Sequence, residues 1–181
     1  MEDTATHYKG PARLMHWTMA LLVLAMVPVG FLMLEDWVSR PLRNSMFVTH
    51  KNVGVLLLLL IFARLAYRWR NPPRLKPVEL DPMQKLAAKA THFGLYALLL
   101  IMPLSGYIRV RAGGFPIEML DAIGAPSLVP RSDALAAFAK ATHLYAGYAI
   151  IALIAMHVGA ALFHALVKKD DIFERMWPAR A

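Results

Sequence analysis

The segment His143–Val167, HLYAGYAIIALIAMHVGAALFHALV, decides the fold of this chain. None of its residues is Asp, Glu, Lys or Arg. Roughly 20 predominantly apolar residues are enough to cross the hydrocarbon core of a bilayer as an α-helix. The segment is therefore predicted to be a transmembrane helix. Its three histidines, His143, His157 and His164, are costly in lipid, so each is a candidate functional residue.

Three further apolar stretches of similar length precede this segment. Together the four predicted spans cover about residues 14–34, 46–67, 90–108 and 143–167. The first is too long for the apolar core of a signal peptide and lacks an A-x-A-like cleavage site, so we expect it to be retained. The sequence thus predicts an all-α protein, an integral membrane four-helix bundle, with a single domain over residues 1–181. Residues 133–142 are expected to form a short amphipathic helix that leads into the fourth span.

Composition agrees with a membrane protein and excludes several other classes. The hydrophobic fraction is 58% and the mean hydropathy is +0.46, above the share typical of soluble domains. The net charge of +8 is not gathered on a water-soluble module, so no nucleic-acid partner is expected. The chain has no cysteine, which excludes disulfides, thiolate-bound iron–sulfur clusters and covalent haem attachment. Any haem must be held by coordination and packing.

The distribution of Lys and Arg predicts the orientation, because cytoplasmic loops carry an excess of these residues. One side of the membrane holds both termini and the connection between the second and third spans. It has thirteen Lys and Arg residues: Lys9, Arg13, Arg64, Arg68, Arg70, Arg74, Lys76, Lys85, Lys89, Lys168, Lys169, Arg175 and Arg180. The opposite side has seven: Arg40, Arg43, Lys51, Arg109, Arg111, Arg131 and Lys140. We therefore expect both termini to be cytoplasmic.

Four histidines pair by height in the membrane. His157 lies about 21 Å further along the fourth helix than His143 and on nearly the same face, at 1.5 Å and about 100° per residue. His50 lies at the outer end of the second span, level with His143. His16 opens the first span from the cytoplasmic side, level with His157. The pairs His50–His143 and His16–His157 each suit the two axial positions of a b-type haem used for electron transfer.

A small residue one turn beyond each of these histidines gives room for a flat macrocycle. These residues are Ala20, Gly54, Gly147 and Ala161. The alternative is that small residues simply pack membrane helices together. Zinc is the competing metal, but a zinc site needs three or four converging ligands, and the spans contain no acidic residue.

Two further histidines, His92 and His164, lie near the cytoplasmic end. They could bind quinone carbonyls and exchange protons near neutral pH. They could equally be interfacial histidines. Arg13, Arg64 and Arg68 could likewise be haem-propionate partners or positive-inside anchors.

Several short motifs occur in the same order as in one known family. They are Leu14-Met15-His16-Trp17, Thr49-His50-Lys51-Asn52-Val53-Gly54, His92-Phe93-Gly94-Leu95-Tyr96, Pro103-Leu104-Ser105-Gly106-Tyr107, His143-Leu144-Tyr145-Ala146-Gly147, Met156-His157 with His164, and Lys169-Asp170-Asp171. On these motifs nearly the whole chain resembles the bacterial and nickel-hydrogenase-type cytochrome b family, specifically the small bacterial cytochromes b-561.

The resemblance implies two haem b groups ligated by His16, His50, His143 and His157, and an inner-membrane location. It also implies ubiquinone as substrate or bound quinone near His92 and His164. One member type that the chain resembles oxidises superoxide and passes the electrons to ubiquinone. Such an activity would use the positive charges on the outer side to attract the superoxide anion. The alternative is that these residues are ordinary loop charges. The long connection over residues 109–142 also resembles relatives with a periplasmic lipid- or isoprenoid-binding partner.

Three functions follow as hypotheses. The leading one is electron transfer across the membrane through two b-type haems, in its most concrete form a superoxide:ubiquinone oxidoreductase. The second is a cytochrome b subunit or anchor for a partner dehydrogenase or periplasmic protein. The third is a non-redox helical membrane protein with structural histidines. The expected partners are the lipid bilayer, quinone, and superoxide or a periplasmic redox partner, and a homodimer is an open alternative to a monomer.

Overall fold

A computed structural model describes residues 5–177 and is built from α-helices. Its elements are α1 (Gly10–Leu32), α2 (Arg40–Arg70), α3 (Pro82–Ala112), the short α4 (Glu118–Ala122) and α5 (Asp133–Phe163), which continues into a π-helical turn (His164–Lys168). Four of these helices are long and apolar enough to cross a membrane, as predicted. The all-α membrane bundle is thereby confirmed. Arg180, which contributes to the predicted charge asymmetry, lies outside the described residues.

The helices α2, α3 and α5 begin at prolines or capping residues that lie outside the apolar spans. Pro41 and Pro82 occupy the first turns of α2 and α3, where a missing N–H costs nothing. The Asp81 carboxylate caps α3 by accepting from the Gln84 amide at 2.8 Å. Ser132 caps α5 in the same way. Residues 133–142 are helical, as expected, and since no glycine or proline follows before the span they form the first turns of α5.

The helices pack in chain order around the bundle. α2 packs against both α1 and α3, and α3 packs closely along α5. The backbones of α1 and α5 do not approach each other to a comparable extent. The seam between α1 and α5 is therefore wide, and side chains such as Phe31 and Tyr148, with ring centres 5.9 Å apart, span it.

Large apolar side chains on the long helices point away from the bundle. Leu21, Leu59 and Phe93 are 60% or more exposed. Apolar surface on this scale is not stable in water, but it is the surface that lipid chains contact in a membrane. The buried core is correspondingly thin, with Ile61 on α2 fully enclosed.

The two ends of the bundle differ in construction. At what we call the terminal end, the N-terminal segment, the α2–α3 connection and the C-terminal tail (residues 5–9, 71–81 and 169–177) hydrogen bond to one another. The Tyr8 amide donates to the Arg175 carbonyl at 3.0 Å, and the Arg175 guanidinium donates to the Lys76 carbonyl at 2.6 Å. At the opposite end, which we call the α4 end, residues 33–39 and 113–132 close the bundle.

Candidate functional site

Two histidines meet near the α4 end. The ring centres of His50 on α2 and His143 on α5 are 6.1 Å apart, and the ring planes are 77° apart. A nitrogen lies about 2 Å from a metal ion that it coordinates and the ring centre about 1 Å behind it. Two imidazoles on opposite sides of one ion therefore have centres about 6 Å apart, and two at a tetrahedral angle have centres about 5 Å apart. The separation of this pair fits one shared ion.

Hydrogen bonds set the ring of His143 for ligation. Its Nδ1 lies 2.9 Å from the Met102 carbonyl and 3.2 Å from the Ser105 hydroxyl. Because the carbonyl can only accept, we assign the proton to Nδ1, which leaves Nε2 with a free lone pair. A metal-binding histidine typically donates its other N–H to such a group. His50 Nδ1 is buried beside the Met26 carbonyl without a hydrogen bond of normal geometry, so that ring keeps unused bonding capacity.

Glycines allow both rings to lie against neighbouring helices. A Cβ atom at Gly30 on α1 would come within 3.0 Å of His50 Cε1, and one at Gly106 on α3 within 3.2 Å of His143 Cε1. Sequence reasoning did not find either role, although Gly106 belongs to the Pro103–Tyr107 motif. Gly54 faces open space, and a Cβ at Gly147 would meet only Met102 at 3.9 Å. The space in front of Gly54 and Gly147 is therefore free.

A cavity of about 370 Å³ occupies that space. It lies between α1, α2, α3 and α5, and both His50 and His143 line it. Most of its other walls are apolar, as is usual for a cofactor site. The charged groups among its lining residues are Arg109 and Lys140. The site fits a large, flat, mainly apolar group held by two imidazoles.

A second pair lies nearer the terminal end. The ring centres of His16 on α1 and His157 on α5 are 6.2 Å apart, again close to the spacing for one shared ion. The ring centre of His92 on α3 lies 5.4 Å from that of His157 on α5, which is shorter than the spacing of two imidazoles on opposite sides of one ion. Within residues 5–177 there is no group of three or more His, Cys, Asp or Glu side chains placed to hold a metal.

The structure separates His92 from His164. His92 contacts His157, whereas His164 lies in the π-helical turn and its Nδ1 is 2.6 Å from the Asp170 carboxylate. Lys169, with φ of 52°, turns the chain back and brings Asp170 to the ring. Burial by itself would raise the pKa of Asp170, but the His164 hydrogen bond and the Ile172 amide hold it below its ordinary value. The Lys169-Asp170-Asp171 motif was the signal for this partner.

The three predicted basic candidates near the terminal end have different contacts. Arg64 donates to the Ala12 carbonyl and to the Tyr96 hydroxyl, both at 3.3 Å, and lies near His16. The guanidinium of Arg68 is 5.9 Å from the centre of the Tyr96 ring. Arg13 donates to the Trp177 carbonyl at 3.0 Å. Arg13 therefore contacts the C-terminal tail, whereas Arg64 lies near His16 and His157 and Arg68 lies near His92.

The residues that follow His50 fasten the α4 end. Lys51 Nζ lies 2.6 Å from Glu118 Oε1 and donates to the Pro116 carbonyl at 2.8 Å. Asn52 donates to Glu118 Oε2 at 3.3 Å and accepts from the Met119 amide at 3.0 Å. Burial would raise the pKa of Glu118, but the bonds from Lys51 and Asn52 keep it below its ordinary value.

Comparison with known proteins gives one consistent family. The family model described as prokaryotic cytochrome b561 matches residues 7–179. Cytochrome b561 homolog 2 of Escherichia coli (strain K12) is 31% identical over 96% of this chain and 93% of its own length. Cytochrome b561 homolog 1 of the same strain is 29% identical over 92% and 94%. A Yersinia pestis protein named probable superoxide oxidase CybB is 28% identical over 91% and 92%.

Proposed function

Because the chain belongs to the prokaryotic cytochrome b561 family, we propose that it carries electrons across the bacterial inner membrane through two b-type haems. The family and the four apolar helices make it a multi-pass membrane electron-transfer protein with haem b. The observation that carries the number of haems is the presence of two histidine pairs, with ring centres 6.1 Å and 6.2 Å apart. In this proposal His50 with His143 and His16 with His157 are the axial ligands.

Haem supplies reversible one-electron redox chemistry, and the chain supplies position and surroundings. α5 contributes one ligand to each pair, at His143 and His157, separated by about 21 Å of helical rise. The Met102 carbonyl fixes the ring orientation of His143. Apolar walls around the cavity keep water away from the ligands. The single rigid helix thus sets the spacing of the two redox centres.

We further propose that electrons leave to ubiquinone at the terminal end, on the cytoplasmic side. His92 contacts His157, so a quinone bound at His92 would lie next to the inner histidine pair. His164, held by Asp170, would exchange the protons that quinone reduction requires. Support for the orientation comes from the excess of Lys and Arg on this side of the sequence.

Superoxide is the proposed donor at the α4 end. The support is the similarity to the Yersinia pestis protein named a probable superoxide oxidase, together with the exposed cations Arg40 and Arg131 at the α4 end. Positive charge at a cleft raises the encounter rate of a small anion.

A second candidate is a cytochrome b subunit or anchor that takes electrons from a partner protein. It is favoured by large exposed side chains at the α4 end, where Phe115, Ile123 and Leu128 are between 65% and 82% exposed. Each histidine pair is complete within one chain, so neither candidate function requires a homodimer.

Haem stoichiometry and donor kinetics test the proposal. A pyridine haemochrome assay on purified protein should give two haems per chain, and one or none would refute the paired-histidine arrangement. Mixing the oxidised protein with superoxide should reduce the haems, and a soluble ubiquinone analogue should then reoxidise them. Absence of reduction by superoxide, with reduction by a partner protein, would favour the second candidate.

A further inference from the structure

Arg109 and Lys140 are cations without a counter-ion at the edge of the outer cavity. Two other basic side chains at the α4 end have close carboxylate partners: Lys51 pairs with Glu118 and Arg111 with Asp121, both at 2.6 Å. For Arg109 and Lys140, residues 5–177 provide no ion pair and no side-chain hydrogen bond. Arg109 is only partly exposed, so its charge is costly unless an anion accompanies it.

The two cations lie on the same side of the histidine pair. On α3, Arg109 follows Met102 by seven residues, which keeps it on the same face about 10 Å nearer the α4 end. The Met102 carbonyl is the group that binds the His143 ring. On α5, Lys140 precedes His143 by three residues, about 4.5 Å nearer the α4 end on the same face. The cavity therefore has an apolar body, two imidazoles at its middle and positive charge at one edge.

We propose that Arg109 and Lys140 bind the propionate carboxylates of the haem held by His50 and His143. This rests on the proposed function, since it assumes a haem at that pair. Haem b has an apolar macrocycle with two carboxylates on one edge. The cavity matches it, because its walls are mainly apolar and its cations lie at one edge. The planar guanidinium of Arg109 can grip a carboxylate through two parallel N–H bonds, and Lys140 provides a single charge at the exposed rim. A haem bound at this pair would then have its carboxylate edge toward Arg109 and Lys140, at the α4 end.

A free anion is the other chemistry that these cations could serve. Superoxide, as the proposed donor, would also be attracted to Arg109 and Lys140. The two cases differ because a propionate is a permanent partner of the resting protein, whereas a substrate anion is present only during turnover. A measurement on the resting holoprotein therefore separates them.

The test is infrared spectroscopy of holoprotein whose haem carries carbon-13 in the propionate carboxyl groups. Redox-induced difference spectra isolate the labelled carboxylate bands. We expect Arg109→Gln and Lys140→Gln each to shift part of these bands relative to unaltered protein. Arg40→Gln is the matched control, because Arg40 is an exposed cation at the same end that does not line the cavity, and it should leave the bands in place. Arg109→Lys should give a smaller shift than Arg109→Gln.

Haem retention provides a second readout. Loss of a charge-assisted hydrogen bond predicts about tenfold or faster transfer of one haem from the Arg109→Gln protein to apomyoglobin, with no acceleration for Arg40→Gln. Unchanged bands in both Arg109→Gln and Lys140→Gln, with both haems retained at the normal rate, would overturn the assignment. Failure of the proposed function would give a different result from failure of this assignment, because the unaltered protein would then bind fewer than two haems per chain.

Discussion

Lys51 Nζ lies 2.6 Å from Glu118 Oε1, so the residue that directly follows His50 is tied to the short helix that closes the bundle. Asn52, the next residue, holds the same carboxylate and the Met119 amide. One turn of α2 thus carries a predicted haem ligand toward the cavity and two anchors toward α4. The contacts that hold α4 in place therefore also fix the position of His50, because both depend on the same turn of α2.

The Lys51–Glu118 contact predicts a pH-dependent loss of stability in a Glu118→Gln variant. The pKa of Glu118 is below its ordinary value in the folded protein, so the contact stabilises fully above the pKa of the unfolded chain and is lost as pH falls through the folded value. At pH 7 we expect a destabilisation of about 1 kcal/mol or less, since the pair is partly exposed. Thermal unfolding at pH 7 and near pH 4 measures this, and the difference from unaltered protein should shrink at the lower pH.

Glu79→Gln is the control for that experiment, because Glu79 is an exposed carboxylate in the α2–α3 connection. It should change the unfolding temperature little at either pH. An equal loss at both pH values in Glu118→Gln would mean that the ion pair is not the source of the stability.

The open space before Gly54 predicts that Gly54→Leu expels the outer haem without harming the fold. An added side chain there starts where no protein atom lies within 4 Å, and leucine favours a helix over glycine. In empty protein the leucine would extend into the cavity, but a bound macrocycle would compete with it for the same space. We expect one haem per chain in place of two. Gly159→Leu, also with nothing within 4 Å and outside the cavity lining, should keep both.

The ring separations predict which histidine completes the inner pair. His16 is 6.2 Å and His92 is 5.4 Å from His157 between ring centres, and the first is the closer match to two imidazoles on opposite sides of one ion. His16→Ala and His157→Ala should each reduce the haem content from two to one, whereas His92→Ala should keep two. A His92→Ala protein with one haem and a His16→Ala protein with two would reverse the assignment of the ligand.

The Asp170–His164 contact predicts a defect confined to quinone reduction. Asp170→Asn removes the carboxylate 2.6 Å from His164 Nδ1 and leaves the haem ligands untouched. Reoxidation of the reduced haems by a quinone analogue should slow at least about tenfold, because a positioned proton carrier is impaired, while reduction by the donor stays the same. Stopped-flow spectroscopy of both half-reactions measures this. Asp171→Asn, an exposed neighbour, is the control; equal slowing in both variants would argue against the role of Asp170.

The membrane spans could be predicted from sequence because lipid imposes a minimum apolar length. The heights of the histidines could be predicted because an α-helix rises by a fixed distance per residue, so His143 and His157 on one helix needed no tertiary information. Structure brings His50 to His143 and His16 to His157, as those heights indicated. Their service as haem ligands stays a prediction that the variants above examine.

Contacts between residues on different helices could not be predicted in the same way. The contact of His92 with His157 depends on how α3 is rotated against α5, and nothing in the spacing along one helix determines that rotation. Gly30 and Gly106 matter through rings on other helices, so their role is invisible in a single span. The His164–Asp170 contact needs the left-handed turn at Lys169, which no glycine marks.

The wide seam between α1 and α5 has a consequence for how the protein persists in a cell. Those two helices share little direct backbone packing, yet each contributes a histidine to the same inner pair. A prosthetic group that bridges them adds its binding free energy to the cohesion of the bundle by mass action. Chains made when haem is scarce would then be held together at three helix seams and loosely at the fourth. Haem supply would therefore set the surviving amount of this protein, with unfilled chains the preferred substrates of membrane proteases.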